Sequence, residues 1–439
     1  MSEPYAVRPL DAPPDATIAL PGSKSLTNRA LLCAGLASGE SALPGALLAD
    51  DTEAMMECLG RLGVRLRWAD GAEDGATDLR VIGVDATLPG HPVELYARLS
   101  GTTSRFLLAV LGAGGGPFTL DGAPPLRARP MADGISALRA LGVEVVEREQ
   151  SGHLPVTVHG PPRAAATVVP GDVSSQFLSG LLLAAPCYPG GLGLEVSTPL
   201  VSVPYVDMTV AVMEAFGATV HRPGPGRFTV EPGGYRATRY PIEPDASAAS
   251  YFFAAAVISG GRVRVPGLSR SSLQGDVGFL EVLEQMGAAV TWYDGGVEVA
   301  AGGSLRGLTV DLRDLSDIAP TLAVTAVFAE SPTEITGIGF IRAKETDRIA
   351  AVVRELGRAG IEARETSDGM VINPGVPRPA VIETYDDHRM AMSFALLGLR
   401  VPGIEIADPG CVAKTFPRYF EVLEQLRGGP GARGSLTSR

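Results

Sequence analysis

The sequence predicts an α/β protein of two lobes, and three features carry that expectation. At 439 residues the chain is too long for one compact domain. It repeats itself loosely, about every 70–80 residues, through six copies. Each copy joins a nearly all-apolar helix to an amphipathic helix and a β-rich stretch. A helix that is apolar on every side has to be buried. Six copies therefore divide most simply into two domains of three, each with its apolar helices inside and sheets around them.

The first part of each copy is a polar turn, rich in hydroxyls or Asp, that runs into an Ala/Leu-rich helix. The six are PGSKSLTNRALLCAGLASGE, LSGTTSRFLLAVLGAGGG, GDVSSQFLSGLLLAAP, EPDASAASYFFAAAVISGG, LSDIAPTLAVTAVFAES and YDDHRMAMSFALLGLRVPG. The second part is an amphipathic helix stopped by glycine: AMMECLGRLGVRLRW, GISALRALGVEVVE, VAVMEAFGATVHR, FLEVLEQMGAAVTW and VVRELGRAGIEARE, with FPRYFEVLEQLRG as a sixth. Gly63, Gly142, Gly217, Gly287 and Gly360 share the post-helical position, where glycine accepts the left-handed conformation that closes a helix. In the fourth copy Val277, Leu280, Leu283 and Met286 should line one face, with Glu281 and Glu284 pointing away. The Pro- and Gly-rich HRPGPGRFTVEPGGYRATRYPIEPDAS, near the midpoint, reads as strands and a crossover.

Composition excludes several classes of function. A net charge of −12 argues against nucleic acid or an anionic membrane surface as partner. Cys33, Cys58, Cys187 and Cys411 are far apart and lack CxxC spacing, so neither a disulfide framework nor a metal site is expected. The N-terminal stretch has no basic segment followed by an apolar one, and no apolar run reaches membrane-spanning length, so a cytoplasmic protein is expected.

Three lysines, Lys24, Lys344 and Lys414, stand among 37 basic residues, the rest being arginine. A chain that uses arginine almost everywhere keeps lysine where a compact ammonium with a movable pKa is wanted, or by chance on solvated surface. Their surroundings favour the first reading. The polar turns sit where apolar helices begin, and a helix N-terminus suits phosphate or carboxylate. Ser25, Thr27, Thr102, Thr103, Ser174, Ser175, Ser247 and Asp317 lie at such starts, and plain capping explains most of them. Capping needs no cation, yet Lys24, Arg29, Arg105, His388 and Arg389, with the amide of Gln176, cluster at the same places. That pattern points to bound anions. PGSKS is not a Walker A loop, GxGxxG is absent before a helix, and no GxSxG elbow accompanies His388.

At PGSKSLTNRALLCAGL, GDVSSQFLSGLLLAAP, LVSVPYVDMT, KETDR, DDHRMAMSFAL and DPGCVAKTFPRYF the chain resembles the 5-enolpyruvylshikimate-3-phosphate synthases of the enolpyruvyl transferase family, in order and over nearly its full length. The resemblance implies a two-lobed inside-out α/β barrel, each lobe three βαβαββ repeats around a pseudo-threefold axis. It divides the chain into 1–23 plus 241–439 and 24–240, with the active site in the cleft between. It implies transfer of the enolpyruvyl group of phosphoenolpyruvate to the 5-hydroxyl of shikimate 3-phosphate, without metal or organic cofactor, by a monomer. Carried over motif by motif, Lys24, Ser25, Arg29, Ser174, Ser175, Gln176, Ser202, Tyr205, Asp317 and Lys344 would hold shikimate 3-phosphate. Lys24, Gly101, Arg129, Gln176, Arg348, Arg389 and Lys414 would surround phosphoenolpyruvate. Asp317 would be the hydroxyl-side base, Glu345 the proton carrier at C3, and Lys24 an electrostatic clamp and acid.

The sequence departs from that family's common pattern at Leu99, Ser100 and Phe106, where Asn, Ala and Pro are usual, at Phe340, often Asn or His, and at Val203, often basic. Two other readings stay open at this point. One is the sister enzyme acting on UDP-N-acetylglucosamine, although the loop DGAPPLRARP lacks the Cys expected there. The other is a non-catalytic paralogue that only binds a phosphorylated metabolite.

Overall fold

The computed structural model describes residues 3–68, 78–172 and 174–428. The chain divides into two compact units: one joins Met1–Pro21 to Glu243–Arg439, and the other is Gly22–Ile242.

Three buried helices form the centre of each unit's core. In the Gly22–Ile242 unit they are Lys24–Leu36, Gly101–Leu111 and Ser175–Ala184. In the other unit they are Ala246–Ile258, Ala319–Ala326 and His388–Gly398. These are the six Ala/Leu-rich copies read from the sequence. Every residue of Gly101–Leu111, Ala319–Ala326 and His388–Gly398 is buried, as helices without a polar face must be. Small residues let them approach closely. A Cβ added to Gly180 would lie 2.7 Å from the Arg105 carbonyl oxygen on the neighbouring helix.

The amphipathic helices cover these centres with one face: Asp50–Arg61, Ala132–Ala140, Val203–Ala215, Phe279–Met286, Arg348–Arg358 and Tyr419–Glu424. In Phe279–Met286 the residues Phe279, Leu280, Val282, Leu283 and Met286 are buried, while Glu281 and Glu284 are exposed. Val277, expected on that helix, lies just before it in the 3₁₀ turn Gly275–Gly278, whose glycines disfavour an α-helical start.

The sheets are small and mixed, and four of them share one plan: a parallel strand pair continued by two antiparallel strands. One such sheet depends on the N-terminus, where Asp15–Thr17 pairs in parallel with Arg262–Pro266. Alternation decides which side of that strand faces the core. Val263 and Val265 are fully buried, and outward Arg264 bonds Asp15 at 2.8 Å and Glu298 at 2.7 Å.

The glycines predicted to close the amphipathic helices all have positive φ: 99° at Gly63, 80° at Gly142, 85° at Gly217, 109° at Gly287 and 79° at Gly360. At Gly287 an added Cβ would also come within 3.2 Å of the Ser304 carbonyl oxygen. Gly287→Ala should therefore destabilise its unit by about 1–2 kcal/mol in urea unfolding. An unchanged midpoint would show that the closing turn carries no conformational demand.

Candidate active site

In the Gly22–Ile242 unit the functional side chains gather at the starts of the buried helices. Ser23, not Ser25, caps the first helix, accepting the Leu26 N–H at 3.4 Å, and Lys24 is its first residue. The Lys24 ammonium lies 3.4 Å from the carboxylate of Asp51, which is almost fully buried. Asp51 was not legible as a functional residue, because acidic side chains in a helix's first turn are expected on dipole grounds alone.

Arg29 is buried one turn further along. Its guanidinium donates to the Thr209 hydroxyl at 2.8 Å, the Ser25 carbonyl at 2.9 Å and the Tyr205 carbonyl at 3.1 Å. It sits over the rings of Phe106 (5.1 Å) and Tyr205 (5.9 Å). Among the described residues its partners are neutral oxygens and rings, and burial pushes its pKa down to about 10. A buried cation so placed is strongly stabilised by any anion that reaches it.

At the second helix Ser100 is the cap, accepting from the Thr103 N–H at 3.2 Å and the Thr103 hydroxyl at 2.9 Å; Thr102 and Thr103 are inside the first turn. Gly101 leaves room for the Arg129 guanidinium: an added Cβ would be 2.7 Å from its Nη1, and the guanidinium would have to shift. Arg105 donates to the Gln176 amide oxygen at 2.7 Å, and the Gln176 amide nitrogen donates to Thr102 at 3.2 Å, which ties the second helix start to the third. Ser174 caps that third helix, accepting the Gln176 N–H at 3.3 Å, and Ser175 is buried behind it. Ser202 is held at φ 56° before the helix Val203–Ala215, a left-handed conformation that a non-glycine residue adopts only when its surroundings impose it. Its carbonyl accepts the Tyr205 N–H at 3.1 Å.

The other unit carries the carboxylates. Arg348, the first residue of its helix, is 1 % exposed and is gripped by three of them. It donates to Asp317 at 3.0 Å, to Glu345 at 2.7 Å, and to Asp387 at 2.7 Å and 3.3 Å. Burial opposes its charge, and Asp387, Glu345 and Asp317 outweigh that, holding the guanidinium above its ordinary pKa. Arg389 bonds the second oxygen of Asp317 at 2.7 Å. Asp387 caps the helix His388–Gly398 through the Arg389 N–H, 2.9 Å, and the His388 ring nitrogen is 3.6 Å from its carboxylate. Lys414 ends a 3₁₀ turn, Pro409–Lys414, that packs on that same helix, and it is buried. Lys344 is partly exposed, with its ammonium 5.9 Å from the Phe340 ring centre. The sequence alone assigns Asp387 no role. The distances give it one.

Ser247 is likewise not a cap; Asp245 is, accepting the Ala248 N–H at 2.9 Å. Ser247 instead donates to the buried carboxyl of Asp276. Burial, then the charge of Asp317, push Asp276 up to about 6 from an ordinary 3.8, against the pull of Arg389 and of the Ser247 hydrogen bond. A raised folded-state pKa means that the folded chain holds this proton more tightly than the unfolded one. The resulting cost is absent below about pH 4, grows towards pH 6 and is complete above it. Asp276→Asn should therefore raise stability at pH 8 by up to about 3 kcal/mol, and by far less at pH 4. Denaturant unfolding at both pH values reads this, and equal shifts would refute it.

Comparison with known proteins extends over nearly the whole chain. A 3-phosphoshikimate 1-carboxyvinyltransferase of Nostoc punctiforme is 46 % identical over 422 residues, covering 95 % of this chain and 98 % of that one. The enzyme of the same name from Trichormus variabilis is 44 % identical over 425 residues, covering 96 % and 99 %. The solved EPSP synthase of Acinetobacter baumannii superposes with a TM-score of 0.80 at 26 % identity, covering 97 % of this chain and 98 % of that one. The mixed α/β arrangement of small sheets is thus the EPSP synthase fold. Residues 11–423 match a family model, and the chain belongs to that family: EPSP synthase (3-phosphoshikimate 1-carboxyvinyltransferase).

Proposed function

We propose that this chain transfers the enolpyruvyl group of phosphoenolpyruvate to the 5-hydroxyl of shikimate 3-phosphate, releasing phosphate, as a step of aromatic amino-acid biosynthesis. Family membership supplies the reaction and removes the UDP-N-acetylglucosamine reading. The observation that carries the residue roles is the Arg348 cluster, in which one guanidinium touches Asp317, Glu345 and Asp387 together. The finer architecture of the family, an inside-out barrel of three βαβαββ repeats per lobe about a pseudo-threefold axis, is supported by the three buried helices of each unit and the recurring sheet plan.

The chemistry needs a base for the 5-hydroxyl, a proton donor and acceptor at C3 of phosphoenolpyruvate, and compensation for the departing phosphate. Asp317 takes the hydroxyl proton as the oxygen attacks C2. Glu345 delivers a proton to C3 and later removes one as the C–O bond to phosphate breaks. Lys24 stands by the phosphate with Arg129 and Gln176. Phosphoenolpyruvate's carboxylate recruits Arg348, Arg389 and Lys414. The first two already hold Asp317 by two oxygens. An incoming carboxylate therefore competes with Asp317 for the two arginines, so binding the second substrate loosens their hold on the base when it is needed. Ser25, Arg29, Ser174, Ser175, Ser202, Tyr205 and Lys344 hold shikimate 3-phosphate, and Gly101 leaves room for phosphoenolpyruvate beside Arg129.

The reading requires residues of both units to serve one pair of substrates. A monomer suffices, since all of them come from one chain, and a net charge of −12 makes nucleic acid an unsuitable partner. We place the protein in the cytoplasm; among the described residues no helix is long and apolar enough to cross a membrane.

Phosphate release from phosphoenolpyruvate in the presence of shikimate 3-phosphate tests the whole reading, and its absence would leave a binding protein. Glu345→Gln should keep substrate affinity and lose turnover by about 10²-fold or more, the range for a positioned acid–base group; near-native kcat would remove Glu345 from the mechanism. Lys24→Arg keeps the charge but must fit a branched, planar head where an ammonium lies 3.4 Å from buried Asp51. It should lose at least about tenfold in kcat/KM, and a fully active variant would mean that charge alone is required.

A further inference from the structure

Glu355 is a carboxylate in the middle of a buried helix face, and it takes no part in the chemistry described above. Its side chain is 0 % exposed; it accepts the Glu383 N–H at 3.0 Å and the Tyr385 hydroxyl at 2.5 Å, and the Arg358 Nε lies 3.4 Å away as an ion-pair partner. Both hydrogen-bond donors belong to the segment Glu383–Asp387, where Tyr385 and Asp386 both have φ 55°. Two successive non-glycine residues in the left-handed region cost roughly 1–3 kcal/mol each and persist only where other contacts hold them.

Glu355 lies seven residues after Arg348 in the same helix, about two turns, so both project from one face. Arg348 grips Asp387 at the far end of the strained turn, and Glu355 grips Glu383 and Tyr385 at the near end. One helix face thus fastens the turn at both ends, with a cation at one and an anion at the other. Asp387 is where the turn meets the helix His388–Gly398, and its carboxylate caps the N–H of Arg389. The angle at which Arg389 leaves that helix is therefore set by the turn.

We infer that Glu355 is a positioning residue for phosphoenolpyruvate recognition: by holding Glu383–Asp387 in its left-handed conformation, it aims Arg389 and Asp387. This rests on the reading of Arg389 as a phosphoenolpyruvate ligand. Glu355→Leu, close in volume, removes both accepted hydrogen bonds and the ion pair while keeping the helix face filled. It should raise KM for phosphoenolpyruvate about tenfold, since a displacement of about 1 Å at a ligand group can cost more than that. KM for shikimate 3-phosphate should change by less than about threefold. Tyr385→Phe, which removes one contact and is easily accommodated, should shift the same KM in the same direction by a smaller factor. It keeps the test decisive should the leucine variant not fold. Hydrogen exchange supplies a readout without substrate: the Glu383, Asp387 and Arg389 amides should exchange faster in both variants. Equal rises in both KM values, or an unchanged KM for phosphoenolpyruvate with native exchange, would overturn the inference. If the wild-type protein shows no turnover, the functional reading has failed instead, and exchange alone decides whether Glu355 holds the turn.

Discussion

A guanidinium taken out of water must be compensated where it lies, by hydrogen-bond acceptors or by anions, and around Arg348 the compensation is anionic. Removing one partner of a buried ion network leaves an uncompensated charge and is far more damaging than the network is stabilising. Asp317, Glu345 and Asp387 come from three separate segments, and all three converge on this one side chain. Their convergence draws together the 3₁₀ turn Ser316–Ile318, the KETDR segment and the start of the helix His388–Gly398. The three carboxylates are thus placed by the neutralisation of one buried cation.

The Gly22–Ile242 unit solves the opposite problem. There Lys24 lies against the carboxylate of Asp51, but buried Arg29 bonds hydroxyl and carbonyl oxygens between two aromatic rings. Neutral acceptors orient a guanidinium without cancelling its charge, so the field remains for a ligand. The two units thus handle buried charge differently: one leaves Arg29 among neutral acceptors, and the other surrounds Arg348 with carboxylates. In an acidic protein such local concentration of cations is the only way to attract a phosphate.

The departures from the family pattern acquire physical roles in this frame. Ser100, where alanine is usual, caps the helix that presents Gly101, and its hydroxyl also receives that of Thr103. Phe106, where proline is usual, is the platform beneath Arg29 at 5.1 Å. Phe340 stands under the Lys344 ammonium in the same way. Two of the five departures thus place a ring against a cation, an interaction that holds a charge in position without an anion.

Much of the fold was legible in the sequence, because burial is a property of pattern. Six segments apolar on every side could only be core helices, and five closing glycines announced the ends of their amphipathic partners; all six helices are buried and all five glycines have positive φ. The cations at helix starts were legible too, since Lys24, Arg29 and Arg389 stand where a helix dipole alone would exclude them. Pairing was not legible. The capping residues turned out to be Ser23, Ser100 and Asp245, not their hydroxyl neighbours, because a cap is chosen by the backbone angle of one residue and not by composition. Asp51, Asp387 and Glu355 looked like ordinary acidic residues of helix ends and surfaces. Only the tertiary structure could bring Asp51 to Lys24 and Asp387 to Arg348, and set Glu355 against a turn about 30 residues away, because a buried carboxylate acquires its role from the donors that the fold delivers to it.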